Sequence, residues 1–324
     1  MRIRKVPEWK PIVTTGDLGD EIGAFWRAMK GENKSANTLD TYGESCRQFA
    51  DWMAGHSNEA THPTECENIR RGHVDDWLGH LRDREGNALL ESSTINNRFR
   101  GLQRFFAWWA GEAGPEVVSP MARIKPPKVV DLMPRVLTDE QIGALLAQCS
   151  GRSFEDVRDT AIIRVFGDTG LRSSELGGMR HGPDVQDLHI GRGEIYVLGK
   201  GGKDRKVQIS SKTVAALDIY LRAWRKHRVR DSGFLWLGLR GPLTSSGILQ
   251  MLHARGDAVG IGNLHPHDLR HVWRDRAERA GLSQDQMMAL GGWSSPAMLA
   301  RYARTTRNER ALEAAKQAAV GDRW

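Results

Sequence analysis

Cysteine is scarce in this 324-residue chain: Cys46, Cys66 and Cys149 are its only three, widely separated and never in a CxxC pair. An odd, scattered set excludes a disulfide scaffold and a zinc cluster, and it fits a reducing cytosol. Long apolar runs are lacking as well, and none approaches the roughly 18 residues that a membrane span requires. The opening MRIRKVPEWKP is basic but has no apolar core of the kind a secretory signal carries. A cytoplasmic protein with no membrane partner is expected. Internal repeats and low-complexity tracts are missing too. Tyrosine is rare, with only Tyr42, Tyr196, Tyr220 and Tyr302. Negative charge falls short of positive: 40 Asp plus Glu against 47 Lys plus Arg give a net charge of +7 and a pI near 9.5. That excess permits a polyanionic partner without requiring one.

The length allows two domains, each with its own core. Residues 1–16 show no apolar period and read as an N-terminal tail. From about Asp17 helical patterns begin. Leu39, Tyr42, Cys46, Phe49 and Met53 fall at the spacing of one buried helical face, and Ile95, Phe99, Leu102, Phe106 and Trp109 form a second. Asn96, Arg100 and Gln103 occupy the opposite side of that second helix. Residues 17–113 are therefore expected to form an all-helical domain. Between 114 and 136 stand Pro115, Pro120, Pro126, Pro127 and Pro134, with Arg123, Lys125 and Lys128 among them. Repeated proline removes backbone donors and favours extended chain, so this stretch reads as a stiff linker.

A second domain, 137–324, opens at Thr138, where Glu140 and Gln141 suit a capped helix start. A helix from about Phe154 is expected to end at Thr169-Gly170. In VQDLHIGRGEIYVLGKGGKDRKVQIS apolar and polar residues alternate between Gly-rich turns, which predicts a three-stranded antiparallel meander. Helical patterns resume near 212–226, 244–258, 267–280, 283–290 and 295–304, and an Ala-rich helix over 305–320 follows. The fold class expected is mainly α with one small antiparallel sheet: a helical domain followed by a mixed α/β domain.

Four stretches of the second domain share one theme, groups that hold and activate a phosphate. In TGLRSSEL, Arg172 stands at a helix start, where its planar guanidinium can grip two oxygens at once. In VLGKGGKDRKV, Lys200, Lys203, Arg205 and Lys206 cluster at a hairpin; a P-loop is excluded because Lys203 is followed by Asp204 rather than Ser or Thr. A solvated basic hairpin is the plain alternative. HPHDLRH brings His267, Arg270 and His271 together, and without HExxH or an acidic ligand beyond Asp268 it suits phosphate better than a metal. LGGWSSPAMLARYAR contains Tyr302 between Arg301 and Arg304, whereas the other three tyrosines lie in apolar patterns that predict core roles. A phenol ionises near pH 10, so its use as a nucleophile demands nearby positive charge or a base.

Taken together these residues resemble the tyrosine recombinase family, the phage integrases with their Xer-type and Cre-type relatives. That family carries Arg in a GLRxxEL box, Lys in a β-turn, H-x-x-R, then His or Trp, and Tyr nine residues later. Here the corresponding residues, in the same order, are Arg172, Lys200, His267 with Arg270, Trp293 and Tyr302. The resemblance covers residues 17–310 and implies a core-type DNA-binding domain followed by a catalytic domain. It also implies that Tyr302 is the nucleophile of a site-specific recombinase that cleaves and rejoins DNA through a 3′-phosphotyrosine, with strand exchange by way of a Holliday junction. Arg172 and Arg270 would neutralise the phosphate, Lys200 would be general acid, His267 a proton acceptor or phosphate donor, and Glu175 would orient Arg172. Trp293 departs from the commoner His; its indole N–H donates but does not exchange a proton, and it is expected to position Tyr302 and the phosphate.

The short stretch before residue 17 leaves no room for the arm-site domain of larger phage integrases, so a simpler core-site system is expected. No cofactor and no metal are implied. The expected partner is double-stranded DNA with specific core sites, gripped by Arg100, Gln103, Lys203 and Arg205 as the two domains close round it. A homotetramer on DNA, a monomer without it, accessory DNA-bending proteins and a bacterial or phage-encoded origin complete the expectation. The helix over 305–320 either packs on its own domain or docks on a neighbouring subunit. Two alternatives stay open: a DNA-relaxing or telomere-resolving relative, and a non-catalytic DNA-binding regulator on the same fold.

Overall fold

The computed structural model describes residues 8–55, 62–83, 90–129, 135–199, 204–299, 315, 316 and 318. The chain divides into two compact units, Met1–Leu132 and Met133–Trp324. Among the described residues no helix is long and apolar enough to cross a membrane.

The first unit is helical: α1 (Leu18–Gly31), α2 (Ala36–Gly55), α3 (Arg71–Arg82) and α4 (Ser92–Ala113). Its core is where the two predicted stripes meet. Leu39, Cys46, Phe49 and Met53 of α2 are buried, as are Ile95, Phe99, Leu102, Phe106 and Trp109 of α4. Phe49 meets Trp77 edge-on at 5.3 Å and Phe106 at 5.9 Å. Each such aromatic contributes on the order of 1.5–3 kcal/mol by leaving water, with a further fraction from edge-to-face geometry. Flanking segments join this core. Ile12, in the stretch that reads as a tail, is buried, and Trp9 packs on Trp26 at 5.7 Å. Met121, from the proline-rich stretch, is fully buried in the same cluster.

The second unit begins at α5 (Asp139–Gln148), where Thr138 accepts from the Gln141 backbone and Gln141 reaches back to the Thr138 N–H. This reciprocal pairing is a capping box, at the helix start expected from the sequence. There follow α6 (Phe154–Thr169), ended by Gly170 in the left-handed region at φ 56°, and the short α7 (Ser173–Gly177). The meander consists of β1 (Leu188–His189), β2 (Glu194–Leu198) and β3 (Asp204–Gln208), antiparallel in that order, with Ile195 opposite Val207 and Val197 opposite Arg205. Four helices complete it: α8 (Ser211–Trp224), α9 (Ser245–Ala258), α10 (Pro266–Arg279) and α11 (Gln284–Gly291). Residues 296–299 are helical as well. The predicted helix over 305–320 lies outside the described residues except for three exposed helical positions, Ala315, Lys316 and Ala318.

The core of this unit packs Ile162, Val165 and Phe166 of α6 against Leu217 and Tyr220 of α8 and Leu269 and Val272 of α10, with Ile195, Val197 and Val207 from the sheet. Tyr220 is a core residue, donating to the Leu235 carbonyl at 2.8 Å. Tyr196 is not: the period of two places Ile195 and Val197 inward and Tyr196 on the other face, under Lys206. The three cysteines are buried free thiols, with burial pushing that of Cys149 up to about 11. The arrangement gathers the end of α6, the start of α7, strand β3, α10 and the end of α11 at one place.

Candidate active site

Arg172 is the N-cap of α7, immediately after the Gly170 turn. Its backbone N–H donates to Glu175 Oε2 and its Nη1 to Glu175 Oε1, both at 2.9 Å. Its Nη2 donates to the Gly292 carbonyl at 2.7 Å. The Arg172 side chain keeps 39 % of its surface in solvent while that of Glu175 keeps 6 %. A guanidinium fixed on one edge and open on the other is suited to receiving an anion.

Glu175 is shared. Arg205 forks onto it, with Nη1 donating to Oε1 at 3.0 Å and Nη2 to Oε2 at 2.9 Å. Burial acts to raise the Glu175 carboxyl, but the hydrogen bonds and charges of Arg205 and Arg172 outweigh it and hold the group below its ordinary value. Glu175 is thus a carboxylate at neutral pH. The position of Arg205 departs from the expectation of a DNA-facing hairpin residue: its side chain is turned inward, 11 % exposed, and all three guanidinium nitrogens donate within the protein. Strand alternation is the reason, since Arg205 shares its face with buried Val207.

Arg270 is 2 % exposed. Its Nη1 donates to the Gly170 carbonyl, its Nη2 to the Gly291 carbonyl at 2.8 Å, and its Cζ lies 3.9 Å from the Trp293 ring centre. Trp293 is 5 % exposed and stacks on Trp273 at 5.7 Å. The indole expected beside the phosphate therefore also forms a wall under Arg270, a cation–π pair strengthened by its removal from water. His267, one turn before Arg270 on α10, is exposed, its ring 4.7 Å from that of His271. Burial, with His267, Arg270 and Arg274 beside it, pulls His271 down to about 3, leaving it neutral at ordinary pH. His267, unlike His271, is exposed.

Three arginines converge on one helix end. The carbonyls of Leu290, Gly291 and Gly292 accept in turn from Arg205 Nε at 2.8 Å, Arg270 Nη2 and Arg172 Nη2. The last carbonyls of a helix have no partner within it and carry partial negative charge, so they attract cations. Gly292 caps α11 in the left-handed region at φ 67°, and a Cβ there would stand 2.9 Å from Arg205 Nη1 and 3.3 Å from Arg172 Nη1. Sequence reasoning found both ends of this cluster but not the backbone between them.

Lys200, Lys203 and Tyr302 lie outside the described residues. In the first unit, Arg100 is exposed and Gln103 half-buried on the face of α4 opposite its core stripe. Among the described residues no group of His, Cys, Asp and Glu is arranged to hold a metal ion.

Residues 135–309 match the phage integrase family, and residues 22–115 match the phage integrase N-terminal SAM-like domain. The chain is 30% identical over 285 residues to the tyrosine recombinase XerC of Roseiflexus castenholzii, covering 86% of each chain. It is 28% identical over 250 residues to XerC of Actinobacillus pleuropneumoniae, covering 76% of each. It shares the fold of the XerH site-specific recombinase bound to difH substrate in a pre-cleavage complex, with a TM-score of 0.69 and 18% identity over 94% of this chain and 98% of that one. With two family models in the order of its two units and relatives along most of its length, the chain belongs to the phage integrase family of tyrosine recombinases, DNA-binding enzymes of site-specific recombination.

Proposed function

We propose that Tyr302 attacks a DNA phosphodiester at a specific core site: the bond from its phenolic oxygen to phosphorus forms as the bond from phosphorus to the deoxyribose 5′-oxygen breaks. The product is a 3′-phosphotyrosine and a free 5′-hydroxyl. A 5′-hydroxyl from the partner duplex reverses the step, so the bond energy is conserved and no nucleotide cofactor is consumed. The observation that carries this reading is the convergence of Arg172 and Arg270, far apart in sequence, on neighbouring carbonyls just before Trp293. Two guanidinium groups held this close together would offset the charge that builds on a phosphate's non-bridging oxygens in the transition state, and stabilisation of that charge is typically the largest catalytic contribution.

Lys200 protonates the leaving 5′-oxygen and His267 takes the phenolic proton or donates to the phosphate, roles each worth about 10²- to 10⁴-fold. Glu175 keeps Arg172 in register. Two strand exchanges use two active sites at a time, so four subunits act on two duplexes. Incubating the protein with a library of nicked duplexes and then denaturing it tests this reading. Covalent adducts bearing a free 5′-hydroxyl are expected, at undiminished yield in excess EDTA. Strand cleavage without adduct, abolished by chelator, would point instead to a metal-dependent nuclease.

Arg100 and Gln103 of the first domain and Lys203 of the second meet the DNA backbone. Arg100→Glu is expected to weaken DNA binding and to lower the slope of log affinity against log salt by about one phosphate contact or more. Titrations at several salt concentrations read both quantities. Unchanged affinity at every salt concentration would mean that another face of α4 meets DNA.

A further inference from the structure

We propose that Arg205 is a positioning residue of the recombination reaction, acting through Glu175 and the end of α11 rather than on DNA. The inference rests on the chemistry proposed above for Arg172 and Tyr302. Arg205 is the only side chain among the described residues with hydrogen bonds both to Glu175 and to the Leu290 carbonyl. It joins the carboxylate that holds Arg172 to the helix end that holds Arg172 and Arg270, and so ties three sequence-distant elements, α7, β3 and α11, into one frame.

The geometry leaves it little scope for anything else. Each of its three nitrogens is engaged at 2.8 to 3.0 Å, and the side chain is 11 % exposed. A bidentate guanidinium fork fixes a carboxylate in its plane as well as in distance, which a lysine ammonium does not. Glu175 in turn makes two hydrogen bonds to Arg172, one to its backbone and one to its guanidinium, so an error in the carboxylate's place is passed directly to the phosphate-gripping group. The strand sets this up: Arg205 stands in β3 opposite Val197, with its side chain on the inner face beside Val207. A loss of Arg205 therefore disturbs the phosphate clamp, while a side chain only 11 % exposed contributes little to the outer surface.

The test uses the full chain and one nicked duplex recovered from the trapped library. Arg205→Gln, Arg205→Lys, Glu175→Gln and the double variant Arg205→Gln/Glu175→Gln are compared with wild type. Three quantities are measured: DNA affinity at several salt concentrations, the single-turnover rate of adduct formation, and the melting temperature. The wild-type adduct tests the underlying chemistry; the ratio of variant to wild type tests Arg205. Affinity within about threefold of wild type and an unchanged salt slope are expected, with the rate down on the order of 10²-fold in Arg205→Gln, the scale of a misplaced catalytic group. Arg205→Lys should recover part of that loss, and should carry the test if the glutamine variant melts below assay temperature. Adding Glu175→Gln to Arg205→Gln should cost less than about threefold more, because both substitutions cut one path. A wild-type rate in Arg205→Gln, a lowered salt slope, or a double variant as slow as the product of the two single losses would each overturn the proposal.

Discussion

Tyr302→Phe is expected to abolish the covalent adduct while leaving DNA affinity within about twofold of wild type. One oxygen is removed, and with it the atom that joins phosphorus, so no binding energy elsewhere can compensate; loss of a nucleophile costs on the order of 10⁴-fold or more. The remaining tyrosines are poor substitutes. Tyr220 is sealed in the core, where burial pushes its phenol above the ordinary value and its oxygen is occupied by Leu235 and Leu237. Tyr196 lies under Lys206 on the sheet, and Tyr42 packs against the core of the first unit. Denaturing gels of wild type and variant on the same nicked duplex read the result. Equal adduct in both would remove Tyr302 from the mechanism.

Arg270→Lys should cost nearly as much despite keeping the charge. Arg270 serves the Gly170 and Gly291 carbonyls through two nitrogens while its plane lies against Trp293. An ammonium has neither the plane nor the fork, so at least one buried carbonyl loses its partner. We expect adduct formation to fall about 10²- to 10³-fold, the range for loss of one transition-state donor. Stability should fall by about 1–3 kcal/mol for the carbonyl left unsatisfied, measured by urea denaturation of the full chain. Arg172→Lys makes a useful contrast: its side chain is 39 % exposed, so its rate loss should come with a smaller stability loss. An Arg270→Lys protein with wild-type rate would show that a point charge suffices there.

Much of this architecture is legible in the chain because it is local. The stripes of α2 and α4 repeat at helical spacing, the Thr138 start carries its capping pair, and the meander alternates between Gly turns. What escapes is of two kinds. Trp9 and Ile12 join the first core from a stretch too short and irregular to show a period, and Met121 does so from among prolines. The second kind is chemical. Arg205 lies in a basic cluster and so reads as a DNA contact, although the alternation Arg205, Val207, Ile209 already marks its face as the inner one. The acceptors of three arginines are backbone carbonyls, which have no letter of their own. Only Gly292, where a left-handed cap leaves no space for a side chain, hints at them.

The end of α11 is held like a table on three legs. Arg172, Arg205 and Arg270 reach it from the start of one helix, the middle of a strand and the body of another helix, and each fastens to a successive peptide unit. One fastening would leave a helix end free to swivel, and two would leave it a hinge axis; three from different directions remove sliding, tilting and rotation together. Trp293, the residue directly after Gly292, starts its path from a stationary point. The tolerance for where the following segment can begin is therefore set by protein arginines before any DNA arrives, and not by the DNA itself.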